Sequence, residues 1–247
     1  MVRRRYAKFA AAAALSACAW LLAGCAAERS VLVADEELTA ATLRDGGVAL
    51  VGVTMVDEVE QIRPPLVAAL ERAMAETRPD LALRPAAAVT ESLGTAESRR
   101  VLAGYQRAAA VDAPTLESLS GTLSATARYA LFARVDKSTV HLPPAPRPSD
   151  YEYGPPRFTG SIRRDARVRL TLYDLARRRV AWEAVYSSSS ENSLPDSLAL
   201  MRRGQPRATY EAGRPGGSAD LAVTPETPSL AEAAMEAFRR FAGDLPR

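Results

Sequence analysis

Few side chains in this sequence have the type and spacing that chemistry requires. His141 is the only imidazole, and it sits beside a proline run with no nucleophile pattern near it, so its neighbours favour a surface-loop histidine over a catalytic base. Asp57, Glu58 and Glu60 follow the apolar run at 48–53, where α/β proteins often place a ligand; a solvated acidic loop explains them equally well. Gly46 and Gly47 precede that run instead of opening a helix, which excludes a phosphate-binding loop. Arg177, Arg178 and Arg179 lie at a short link between two strand patterns. They are open to an anion, and equally suited to a solvated turn that discourages edge pairing. These residues form no catalytic or metal-ligand constellation, so the reading is of a protein that is not an enzyme and needs no cofactor or metal.

The two cysteines, Cys18 and Cys25, belong to a different chemistry. Arg3, Arg4, Arg5 and Lys8 precede an apolar run at 9–23, the charge and length pattern of an export signal. That run is shorter than the roughly 20 residues that a membrane-spanning helix needs. It ends in Leu22-Ala23-Gly24-Cys25, which resembles the lipobox of bacterial lipoproteins. The resemblance implies cleavage between Gly24 and Cys25, a thioether-linked diacylglycerol on Cys25, and a fatty acyl group such as palmitate on the new amino terminus. Two or more acyl chains give stable anchoring where one is marginal. Residues 1–24 are thus read as signal peptide and 25–47 as a short lipidated tether. Because Ala26, not an aspartate, follows Cys25, the resemblance also implies the outer membrane, with the domain facing the periplasm.

Charge must be counted without the signal. Of 32 basic and 29 acidic residues, the signal holds four basic ones, which leaves 28 against 29. The basic character of the whole chain therefore gives no support to a nucleic-acid partner. With Cys25 lipidated, no cysteine remains for disulfides or zinc.

The elements that would position any site are read from periodicity. The run at 48–53 reads as a buried strand. Pro64 and Pro65 open a helix in which Leu66, Leu70, Ala73 and Met74 share a face. An edge-like strand is expected within 81–89, a helix over 97–110, and a helix from Pro114 with Leu116, Leu119, Leu123 and Ala127 on its inner side. Residues 129–135 read as a strand. Val168, Leu170 and Leu172, then Val180, Trp182, Ala184 and Tyr186, alternate as two strands of an antiparallel hairpin. Trp182 is expected to be a core anchor. A last helix carries Leu230, Ala234, Ala237, Phe238 and Phe241 on one face. The expected fold is α+β, a mixed sheet with an antiparallel hairpin flanked by amphipathic helices. It forms one domain over 48–247, with irregular insertions at about 141–165 and 187–228. The first of these is rich in proline and carries Tyr151, Tyr153 and Phe158, aromatics on a stiff backbone that suit docking of a protein partner.

The segment VALVGVTMV before a helix, the junction LSGTLSATARYALFARV, and the hairpin VRLTLYDLARRRVAWEAVYSSSS resemble corresponding parts of the CsgG and LpoB group of periplasmic lipoproteins. The resemblance covers most of 48–190 and the last helix. It implies either a subunit of a CsgG-like secretion assembly or an LpoB-type regulator of peptidoglycan synthesis. A barrel hairpin needs alternating strands of roughly 9–11 residues, which the prolines of 141–158 do not fit. An LpoB-type reach needs a long flexible segment, and only about twenty residues separate Cys25 from the run at 48–53. A noncatalytic protein-binding or assembly module of the cell envelope, partnered by the membrane and an envelope protein, is the reading that remains.

Overall fold

The strand Val48–Met55 has every residue but the last buried, the near-continuous apolar run of a strand covered on both faces. Two cores grow from it. Val48, Leu50 and Val53 enter one, and Ala49 and Val51 the other. The computed structural model describes residues 29–56, 63–142, 161–193 and 226–247.

The elements are β1 (Arg29–Ala34), α1 (Ala40–Gly46), β2 (Val48–Met55), α2 (Arg63–Thr77), β3 (Leu83–Arg84), α3 (Ala86–Leu93), α4 (Thr95–Ala108), α5 (Ala113–Leu123), β4 (Tyr129–His141), β5 (Ser161–Asp174), β6 (Arg179–Ser193) and α6 (Leu230–Asp244). The sheet has six strands in the order β1-β6-β5-β4-β2-β3. β4, β5, β6 and β1 are antiparallel neighbours, while β4, β2 and β3 are parallel. The fold is therefore α+β with a mixed sheet and an antiparallel hairpin at its centre.

Helices α2 and α6 cover one face. Leu66, Leu70, Ala73 and Met74 of α2 pack there with Phe238 and Phe241 of α6, and Leu43 of α1 joins them. Ser229 starts α6 with a capping box, its side chain accepting from the Glu232 N–H while Glu232 accepts from the Ser229 N–H. Helices α3, α4 and α5 cover the other face through Val89, Val101, Tyr105, Leu116, Leu119 and Leu123. Asp112 caps α5 by accepting from the Thr115 N–H at 2.9 Å. Gly47 and Gly52 are among the positions where the geometry favours glycine. Gly47 (φ +66°) turns the chain from α1 into β2, its N–H returning to the Leu43 carbonyl. At Gly52 a Cβ would stand 3.0 Å from Leu102 of α4, so a residue without a side chain lets that helix lie against β2.

Several elements differ from the sequence reading. The segment read as a tether contains β1, which pairs with β6, and α1, capped by Thr39. β1 is almost wholly exposed, so no apolar alternation marked it. The strand expected within 81–89 is only Leu83–Arg84, because Pro85 ends it and caps α3, its carbonyl accepting from the Val89 N–H. A bulge opposite Leu172 and Tyr173 places Val180 on the α5 side, while Ala181, Trp182, Ala184 and Tyr186 face α2 and α6. Both expected insertions are shorter on the strand side. His141 ends β4, 161–165 begin β5, and 187–193 end β6, held by a backbone ladder that needs no apolar side chains. The aromatics Tyr151, Tyr153 and Phe158 lie outside the described residues.

Candidate functional site

β2 ends at Met55, paired with Val135 of β4, while β4 runs on to His141; the carboxyl end of a parallel strand is where an open α/β sheet usually meets a ligand. Gln106 of α4 donates its side-chain N–H to the Met55 carbonyl at 2.8 Å, and Arg134 donates to the Gln106 carbonyl at 2.9 Å. From Arg134 a chain of charges crosses the sheet. Arg134 meets Asp136 at 2.6 Å, Asp136 meets Arg169 at 3.4 Å, and Arg169 meets Glu183 at 2.6 Å. These side chains are only 15 to 24% exposed, so they are bonded to each other more than to water. Burial opposes the charge on Arg169, yet Glu183 and Asp136 hold its pKa above the ordinary guanidinium value. Beneath this ladder the hydroxyls of Tyr105 and Thr171 share a buried hydrogen bond of 2.9 Å, and burial pushes the Tyr105 phenol well up. The two carboxylates are committed to guanidinium groups and the phenol stays protonated. The arrangement holds α4 and three strands together and offers neither a general base nor a nucleophile.

Past this ladder, β4, β5 and β6 continue as a three-stranded arm. His141 ends its first strand, and its Nε2 lies 2.9 Å from an Asp165 oxygen whose partner oxygen accepts from Arg163 at 2.6 Å. Burial alone would raise the Asp165 carboxyl, but Arg163 and His141 hold it below the ordinary carboxylate range. A histidine oriented by a carboxylate is two-thirds of a catalytic triad. The third member is missing among the described residues: with Nε2 on the carboxylate, Nδ1 would have to receive a nucleophile's proton, and no described hydroxyl bonds the ring. The pair is a cross-strand contact, since His141 lies opposite Arg163 and Asp165 opposite Thr139.

The arginine turn is also committed. Arg177 meets Glu37, Arg178 meets Glu117 at 2.9 Å, and Arg179 meets Asp35 at 2.6 Å. Asp174 organises the turn by accepting from the Ala176 and Arg177 N–H groups and pairing with Arg128 at 2.8 Å. The turn thus clamps the segment after β1 and the start of α5.

Cys25 and Gly24, and the acidic residues Asp57, Glu58 and Glu60, lie outside the described residues. Among the described residues no three His, Cys, Asp or Glu side chains are grouped to hold a metal, and no helix is long and apolar enough to cross a membrane. The charge ladder escaped the sequence reading because its members sit in three strands. Arg169 and Glu183, polar positions inside the hairpin pattern, carried the available signal.

No family model matches the sequence, and no curated protein does. Solved structures with some likeness include the PelC dodecamer of Paraburkholderia phytofirmans, at 15% identity over 66% of this chain and 83% of that one with a TM-score of 0.33. Lipoprotein GNA1162 of Neisseria meningitidis shows 12% identity over 64% of this chain and 92% of its own, with a TM-score of 0.37. The LpoB C-terminal domain of Salmonella enterica shows 12% identity over 66% and 88%, with a TM-score of 0.31. The chain thus has a distant structural likeness to these proteins, and no residue's role is carried across it.

Proposed function

We propose that this chain is a membrane-anchored periplasmic lipoprotein, held to the outer membrane through Cys25, that serves the cell envelope as a noncatalytic protein-binding or assembly module. The observation that carries the noncatalytic reading is the Arg134–Asp136–Arg169–Glu183 ladder. Beside the carboxyl end of β2, where an enzyme of this architecture would keep reactive groups free, the charged side chains of the neighbouring strands are spent on one another. The anchoring rests on the lipobox-like Leu22-Ala23-Gly24-Cys25 after a basic and apolar leader.

β1 also bears on the finer alternatives. An anchor at Cys25 leaves four chain links before Arg29, which begins β1, so the long reach of an LpoB-type activator has no segment to supply it before the fold begins. Cys25→Ser tests the anchor, because a hydroxyl cannot form the thioether. Loss of palmitate labelling and membrane retention is expected, and labelling at the wild-type level refutes it. For the module, affinity purification from cross-linked envelopes is expected to recover an envelope protein. Robust hydrolase turnover that is lost on His141→Ala would refute the noncatalytic reading.

A further inference from the structure

Among the described residues, the arm of β4, β5 and β6 has one face that no helix covers. On it stand Lys137, Thr139 and His141 of β4 and Arg163, Asp165 and Arg167 of β5. Lys137 and Arg167 lie directly opposite each other across the strands, both exposed. No described carboxylate pairs with either. Like charges in that position destabilise a sheet unless something of opposite charge shares them. Further along the same face, Arg163 and His141 divide the Asp165 carboxylate between them, and Glu191 of β6 stands opposite Arg163.

The place of the arm relative to Cys25 says what the anion is. Arg29 at the start of β1 lies opposite Tyr186, and β6 runs on past that point through 187–193. Seven further strand residues extend about 23 Å. From Cys25 to Arg29 the chain can span at most about 14 Å, whatever path it takes. β1 is antiparallel to β6, so its beginning and the arm are at the same end of the sheet. A bilayer holding the lipid on Cys25 therefore cannot lie wholly beyond the arm's tip, and the arm is within reach of it side-on.

We propose that the open face of this arm, centred on Lys137 and Arg167, rests on the phosphates of anionic lipid headgroups in the bilayer that anchors Cys25. This rests on the anchoring proposed above. Lys137 and Arg167 share headgroup phosphates that relieve their mutual repulsion, and the lipid anchor and the arm together fix how the domain faces the membrane instead of letting it swing.

Lys137 is the only lysine after residue 8, so an amine-reactive reagent reads this surface at one side chain. The processed full-length protein is reconstituted into vesicles of phosphatidylcholine alone, or of phosphatidylcholine and phosphatidylglycerol in equal amounts, and its Lys137 peptide is followed by mass spectrometry. Labelling is expected to be roughly fivefold slower in the anionic vesicles, as befits about one charge's interaction with the surface, and Arg167→Gln is expected to remove most of that protection. Equal rates in both vesicles and in detergent overturn the proposal. So does equal protection by inorganic phosphate in detergent, which would make this a site for free phosphate. Flotation of the same samples separates the two ideas. Protein that floats with phosphatidylcholine vesicles but gains no protection from phosphatidylglycerol refutes the arm alone. Protein that floats only with anionic vesicles, and is protected there, refutes the anchor alone; protein that floats with neither refutes both.

Discussion

The hydroxyl pair of Tyr105 and Thr171 joins α4 to the centre of the sheet, and its energetics can be worked out in advance. Each residue is 1% exposed, and their oxygens are 2.9 Å apart. Tyr105→Phe removes one partner and leaves the Thr171 hydroxyl buried without the other, a loss of about 1–3 kcal/mol; Thr171→Val does the same in reverse. The double variant strands no hydroxyl and keeps the shapes. Its loss should therefore be close to that of either single variant, a coupling of about 1–2 kcal/mol. With a urea slope of about 2 kcal/mol/M, a 1.5 kcal/mol loss moves the midpoint by about 0.75 M, well within the resolution of fluorescence melts. Losses that simply add in the double variant would mean that the hydroxyls do not bond. The seating of α4 on β5 would then have to be revised.

Trp182→Ala should cost about 3 kcal/mol, the lower end for a large aromatic, since Trp182 is 9% exposed and faces the core of α2 and α6; an unchanged denaturation midpoint would refute that position. Gly52→Ala should destabilise by about 1–3 kcal/mol, because its Cβ would meet Leu102 at 3.0 Å; a midpoint equal to wild type would show that α4 yields freely. Thr115 bonds the Asp112 carboxylate through both its hydroxyl and its N–H and holds its pKa below the ordinary value. Stability from that cap is present above the unfolded pKa near 4 and is lost as pH falls through the lower folded value. Asp112→Ala should therefore lower the thermal midpoint at pH 7 and lower it less near pH 3, and a gap that widens in acid would reverse the assignment.

What could be read from residues alone was whatever buries itself. The face of Leu66, Leu70, Ala73 and Met74, the run at 48–53 and the inner residues of the hairpin come from apolar periodicity, and all are buried except Val180, which the bulge turns to the other face half-buried. β1 and the last seven residues of β6 escaped because backbone pairing holds them, and that leaves little trace in residue type. Pro85 could be read as a strand breaker, but its second role as the cap of α3 depends on the helix that begins at Ala86. The ladder from Arg134 to Glu183 escaped for a different reason. Asp136 and Arg169, which join its two halves, are 33 positions apart, and only the register of three strands brings the four side chains together. His141 was recognised as a solitary imidazole, while its partner Asp165 became visible only once β4 and β5 were aligned.

The contact between Arg29 and Asp244 joins positions 215 residues apart, and Asp244 also accepts from the Tyr186 hydroxyl. A chain made from its amino terminus produces Arg29 among the first of these groups and Asp244 as the last. The β5–β6 hairpin, by contrast, is complete as soon as Ser193 exists, and its contacts are local and quick to form. Edge strand β1 must wait for that hairpin, and its final clasp for α6. Until β1 pairs, the outer side of β6 is an edge that another strand could join, and until α6 docks, β1 lacks the contact of Arg29 with Asp244 that fastens its start.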